Sequence, residues 1–135
     1  MNSLKNLQVN TERRNQMVDI TARIQKLVSD SNIAEGRVEI FVPHTTAAVT
    51  INENADPSVQ SDILQYLERL IPQRAGFRHA EGNSDAHIKA SLVGPNLTVH
   101  VSGGGLLLGT WQGIYFCEFD GPRSRKVIVK IIGEN

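Results

Sequence analysis

Gly109-Thr110-Trp111-Gln112-Gly113-Ile114-Tyr115-Phe116-Cys117-Glu118-Phe119 leads through Asp120-Gly121-Pro122-Arg123 and Ser124-Arg125 into Lys126-Val127-Ile128-Val129-Lys130-Ile131-Ile132. The two flanks are rich in Val, Ile, Tyr and Phe, which favour strands. The middle has turn chemistry, with Asp, Gly and Pro in succession. Two strands joined by a turn follow. Both flanks are apolar on both faces, which places them centrally in a sheet rather than at its edge.

Upstream, Leu97 to Val101 alternates as a strand does, and Gly103-Gly104-Gly105 breaks the pattern. The triple glycine lacks the spacing of a phosphate cradle before a helix and reads as a hairpin loop. A short helix starts near Asn83 or Ser84 and stops at Gly94-Pro95, a C-terminal signal. Asp56-Pro57 starts another helix: Asp caps the free amides and Pro suits the first helical position. Val59, Ile63, Leu67 and Leu70 then form one stripe, and Pro72 ends it. Val38, Ile40 and Val42 alternate over Arg37 to Val42, a strand. Ala47 to Ile51 is a further strand candidate. Met17, Ile20, Ile24, Leu27 and Val28 stand at helical spacing, which predicts a helix over Met17 to Val28 with Gly36 near its end. Leu4 to Val9 alternates loosely, as an edge strand would. Strands, then helices, then strands argue for an α+β fold: a single domain, residues 1–135, with a mostly antiparallel sheet packed against helices.

Composition excludes several classes of function. Fourteen basic residues balance 14 acidic ones over 135 residues. The clustered Lys and Arg of a nucleic-acid footprint are missing, apart from the short run Arg123-Ser124-Arg125-Lys126. No apolar stretch is long enough for a membrane span. Met1 to Asn10 has no apolar core of a secretory signal. The single cysteine, Cys117, cannot form an internal disulfide and suits a reducing compartment, so the expected location is the cytoplasm.

Three histidines lie in polar, motif-like segments: His44 in Pro43-His44-Thr45-Thr46, and His79 and His87 at the ends of His79-Ala80-Glu81-Gly82-Asn83-Ser84-Asp85-Ala86-His87. Imidazole is the commonest metal ligand near neutral pH. Three gathered in space, with a fourth position open, make a catalytic zinc-type site with metal–nitrogen distances of about 2.0–2.1 Å. The loop around Gly82 can fold back and bring His79 to His87. His79 and His87 read equally well as polar loop histidines with no shared role, and His44 taken alone reads more readily as a surface turn residue. His100 alternates with Val99 and Val101 on the non-core face of its strand and stays outside the site.

Asn52-Glu53-Asn54-Ala55-Asp56 concentrates polar groups between a strand and a helix. Asp56 is used as the cap, which leaves Glu53 as a candidate acid, base or ligand. A straight strand from His44 to Glu53 spans roughly 26 Å, so the two meet only if the strand bends or if Glu53 comes from a neighbouring subunit. Arg123 and Arg125 share parity, so an extended segment points both to one side. Guanidinium forks suit a phosphate or carboxylate. Trp111 and Gln112 offer a flat wall and an amide, although a buried core Trp is the more frequent role.

Pro43 through Pro57, His79 through Leu92, Gly109-Thr110-Trp111-Gln112-Gly113-Ile114 and Asp120-Gly121-Pro122-Arg123-Ser124-Arg125 together resemble the YjbQ-like family, also called secondary thiamine-phosphate synthases. The similarity covers nearly the whole chain. It implies a small α+β fold assembling as a homotrimer. It also implies a reaction joining a pyrimidine diphosphate to a thiazole phosphate, which yields thiamine phosphate and pyrophosphate; the family's name marks that activity as secondary. On this reading His44, His79 and His87 hold a divalent metal, zinc first and magnesium second. Arg123, Arg125, Trp111, Gln112 and Asn54 bind a phosphorylated small molecule. Glu53 and Asp85 are the catalytic carboxylates. Metal and arginines would stabilise negative charge on a leaving pyrophosphate. Two other readings stay open: a metallohydrolase using a zinc-bound water with Glu53 or Asp85 as base, and a non-enzymatic module binding a metal or small ligand. Neither nucleic acid nor membrane is an expected partner.

Overall fold

Strand β8 (Ser124–Gly133) carries Arg125, Val127, Val129 and Ile131 inward and Ser124, Lys126 and Lys130 outward. In the computed structural model, which describes residues 2–134, β8 is flanked on both sides. The edge strand β1 (Asn2–Asn10) pairs with it antiparallel from Asn2↔Ile132 to Asn10↔Ser124. On its other side runs β3 (Gly36–Phe41), antiparallel from Gly36↔Gly133 to Phe41↔Ile128. Next come β5 (Asn96–Ser102) and the short β6 (Gly105–Leu106), completing a five-stranded sheet. Gly103 and Gly104 join β5 to β6 as a two-residue hairpin loop, both at positive φ (59° and 78°). Such a loop matches the strand twist only with positive φ, which glycine adopts without a Cβ clash.

The second sheet has three strands. Its centre is β7 (Gln112–Glu118), between β2 (Gln16–Asp19) and β4 (Ala47–Glu53). β7 is buried from Gly113 to Glu118 because both its faces are covered. Ile114 and Phe116 join the main core with Val38, Ile40, Val127, Val129 and Ile131 from the large sheet. Cys117, with Ala48 of β4, packs the opposite way, against Ala86 and Ala90 of helix α3 (Ser84–Val93). Helix α1 (Thr21–Ser31) adds Ile24 and Val28 to the main core. It ends at Asn32, which takes the left-handed conformation (φ 61°).

Three sequence expectations are corrected. β7 and β8 are central, but they belong to different sheets and do not pair with each other; the turn carries the chain from one sheet to the other. Only β7 is buried on both faces, since β8 turns lysines outward. Met17 lies in β2, opposite Cys117, not in a helix. The helix begins only at Thr21, after its cap Ile20, because the Asp19 carboxylate accepts from the Thr21 amide at 2.9 Å. The other elements fall where the sequence places them, including α2 (Pro57–Leu70), whose cap Asp56 accepts from the Ser58 amide at 2.9 Å. No residue of α2 is buried: Leu67 packs only partly, and Tyr66 and Leu70 stand 64% and 62% exposed. Among the described residues no helix is long and apolar enough to cross a membrane.

Candidate functional site

A cleft of about 730 Å³ opens where β3 ends, beside the turn between β7 and β8 and the start of α3. His44, Asn83, His87, Asp120, Arg123 and Arg125 share its wall. The turn is fixed tightly. A Cβ on Gly121 would run into the Arg13 carbonyl and the Glu118 and Thr11 side chains, so only glycine fits.

Arg125 has the parity of Val127, Val129 and Ile131 and therefore enters the interior, where it is 4% exposed. Its Nε donates to Glu118 Oε1 at 2.8 Å and its Nη2 donates to Glu118 Oε2 and to Thr46 Oγ1, the latter at 2.8 Å. Thr11 Oγ1 also donates to Glu118, at 2.8 Å. Burial alone would push the Glu118 carboxyl up, but hydrogen bonds from Arg125, the Asp120 amide and Thr11 outweigh it and hold the group below its ordinary range. Arg123 lies before β8 begins, so strand parity does not govern it. It stays half exposed and reaches back to Asp120, with Nε donating to the carbonyl at 2.9 Å and Nη2 to Oδ2 at 3.1 Å. The two arginines do not form one outward fork, yet both line the cleft. Neither Nη1 donates to a described protein atom; that of Arg125 is not sealed from solvent, and the Arg123 side chain is half exposed.

His44 follows Pro43 in the β3–β4 connection. Its Nε2 accepts the Lys126 amide proton at 2.9 Å. Partial burial and, next, the charge of Arg125 hold its pKa below the usual imidazole value. His79 and His87 come ring to ring across the Gly82 loop, centroids 5.5 Å apart and edge to face. His44 and His87 line the same cleft. The three imidazoles nevertheless do not converge. Among the described residues no group of three or more His, Cys, Asp or Glu side chains could hold a metal ion. Two imidazoles on one tetrahedral ion have centroids roughly 5 Å apart, so His79 and His87 are close enough to reach one ion together, whereas the set of three is not gathered.

Asp85 is not placed to act as a base. It is 0% exposed and absent from the cleft wall. Arg14 grips it with two hydrogen bonds of 2.9 Å, and Lys89, itself 1% exposed, adds a third of 2.9 Å while also reaching Glu68 at 2.6 Å. Burial would raise its pKa, but the bonds from Arg14 and Lys89 prevail and hold it at about 2. Asp85 ties α3 to α2 and to the β1–β2 connection.

Glu53, Asn54, Trp111 and Gln112 form a second group. Glu53 sits opposite Gln112 in the ladder, and the Asn54 amide donates to the Trp111 carbonyl at 2.9 Å. Trp111 is 63% exposed, so it is a surface wall and not a core residue. The β4–β7 register runs unbroken from Ala47↔Glu118 to Glu53↔Gln112, so no bulge bends β4 back. Its seven residues put Glu53 roughly 20 Å from the histidine end.

Sequence reasoning missed Asn83, Asp120, Glu118 and Thr46. Asn83 Nδ2 donates to Asp120 Oδ2 at 2.9 Å, while Asn83 Oδ1 is the one buried side-chain polar atom without a partner among the described residues. Such an orphan costs about 1–3 kcal/mol unless a ligand or solvent donor meets it. Asn83 carried a readable signal as the residue before α3, but nothing in the chain order brings it to Asp120.

A family model described as UPF0047 protein YjbQ-like matches residues 5–134. The chain is 57% identical over 127 residues to the UPF0047 protein MJ1081 of Methanocaldococcus jannaschii, covering 94% of this chain and 92% of that one. It is 49% identical to the UPF0047 protein YugU of Bacillus subtilis, covering 96% and 99%. Among solved structures, a YjbQ/UPF0047 family protein from Clostridium acetobutylicum superposes with a TM-score of 0.93 at 52% identity, over 95% of this chain and 99% of that one. A YbjQ-like protein of unknown function from Sulfolobus solfataricus superposes with a TM-score of 0.95 at 34% identity, over 99% of each.

Proposed function

The chain belongs to the UPF0047 YjbQ-like family, and from that footing we propose that it is a transferase acting on phosphorylated small molecules, with the cleft holding the phosphoryl group. The observation that carries this reading is that Arg123 and Arg125, each with an Nη1 not taken by protein, line one cleft together with His44 and His87. Aspartate and glutamate partners fix those guanidiniums in place, so an arriving anion meets oriented donors. The orphaned Asn83 Oδ1 adds an acceptor for an N–H or O–H of the organic part. The reaction the family resemblance suggests, transfer of a pyrimidine group to a thiazole phosphate with loss of pyrophosphate, suits donors placed against a leaving anion.

A divalent ion, where bound, would be held by His79 and His87 and would neutralise charge on the pyrophosphate oxygens. The protein's own donors act without it: Arg123 and Arg125 orient the phosphoryl oxygens. Glu53, Asn54, Trp111 and Gln112 lie at the far end of the β4–β7 pair, too distant to serve the same cleft in one chain. We assign them to the cleft of a neighbouring copy in a homotrimer, a reading supported by the unburied α2 and its exposed Tyr66 and Leu70. The unpaired, buried Cys117 supports a cytoplasmic location.

The test is pyrophosphate release from a pyrimidine diphosphate, with and without a thiazole phosphate. Release only with both substrates supports the transferase. Release from the diphosphate alone supports a hydrolase, and none from either removes this substrate pair.

A further inference from the structure

β3 ends at Phe41, opposite Ile128 of β8. Two residues earlier on β8, with the same parity, the Lys126 amide faces the position that β3 has vacated. A continuing strand would offer a carbonyl there. The chain turns at Pro43 instead, and His44 brings its Nε2 to that amide at 2.9 Å. The imidazole thus completes the ladder and satisfies a backbone donor that would otherwise lack a protein partner.

This fixes the proton on the ring. A nitrogen that accepts an N–H bond presents its lone pair, so the neutral ring carries its hydrogen on Nδ1. No described protein atom accepts from Nδ1. His44 lines the cleft with Arg123, Arg125 and Asn83. We infer that His44 is not a metal ligand but a neutral hydrogen-bond donor whose Nδ1–H meets a phosphoryl oxygen of the substrate. The inference rests on the anion-binding reading of the cleft and assigns His44 its part in it.

Metal binding at His44 is opposed by the same geometry. Ligation through Nε2 requires breaking the Lys126 bond and leaving a ladder amide without its acceptor. Ligation through Nδ1, with Nε2 still accepting, requires a ring stripped of both protons, an imidazolate. His79 and His87 carry no such backbone bond among the described residues and remain available to an ion. The burial of His44 and the neighbouring Arg125 charge favour the neutral ring, in keeping with the donor role.

The experiment uses the full chain labelled with 15N. Two-bond 1H–15N correlation spectra distinguish the two tautomers of each histidine, and His44→Asn assigns the His44 signals by their loss. In EDTA, His44 is expected as the Nδ1–H tautomer. Adding zinc, without EDTA, should move the nitrogens of His79 and His87 and leave those of His44 in place. Adding inorganic pyrophosphate should move His44 Nδ1 more than Nε2. In calorimetry, His44→Gln, which reaches toward the Nε2 position, should weaken pyrophosphate binding about tenfold or more. His44→Asn, which restores an N–H near the Nδ1 position, should weaken it less. An Nε2–H tautomer, or zinc-dependent movement of the His44 nitrogens, overturns the inference and leaves the anion-binding reading standing. If pyrophosphate fails to bind the wild-type chain, the anion-binding reading falls, and the donor role falls with it.

Discussion

Glu118, the last residue of β7, and Arg125, the second of β8, face each other inside the protein, joined through both carboxylate oxygens. They stand on opposite arms of one turn and belong to different sheets. Their ion pair therefore fixes the sheets to each other beside the cleft, and the Glu118 bond to the Asp120 amide sets the turn that carries Arg123.

Removing one member of a buried ion pair leaves the other charge without its partner, which typically costs about 3–5 kcal/mol. Glu118→Gln should destabilise the protein by roughly that amount in urea denaturation. A loss below about 1 kcal/mol would show that the pair does not hold the sheets. Arg125→Ala should be similarly damaging and is therefore a poor probe of ligand binding.

Asp85 links stability to acid pH. Its folded pKa, about 2, lies below the ordinary 3.8. Its contribution is therefore fully present above about pH 4 and fades as pH falls toward about 2, and it amounts to roughly 2 kcal/mol. The urea midpoint of the wild type should drop over that window. Asp85→Asn should be less stable than wild type at pH 7 and should show a smaller drop. Equal acid dependence in both proteins would remove Asp85 as the cause.

The proposed assembly predicts a mass. Light scattering should give about 45 kDa, three copies of the 14.9-kDa chain, at micromolar concentration. Leu70→Glu, on the exposed face of α2, should lower it toward the single-chain value without loss of circular dichroism. A wild-type monomer would separate Glu53 and Trp111 from every cleft.

The elements with clean local signals were legible in the sequence. Alternation of Val38, Ile40 and Val42 gave β3, and Asp56-Pro57 gave the start of α2. The apolar side chain of Met17 fits the helical spacing, and only pairing with β7 shows that it belongs to a strand. The inward turn of Arg125 was readable in principle from the parity of Val127, Val129 and Ile131. Its distant partner Thr46, 79 residues away, was not. Asn83 and Asp120 meet through tertiary packing alone, across 37 residues. The cleft was thus half visible: the histidines and arginines stood out by type, and the groups that orient them did not.

The central claim is that the cleft holds a phosphoryl group through Arg123, and calorimetric titration of inorganic pyrophosphate into wild type and Arg123→Ala tests it most directly. Arg123 is half exposed and outside the buried network, so the variant should fold. A charge-assisted contact contributes about 1.5–3 kcal/mol, so Arg123→Ala should bind about 10- to 150-fold more weakly than wild type. Equal affinity in the two proteins, or no binding to either, would contradict the claim.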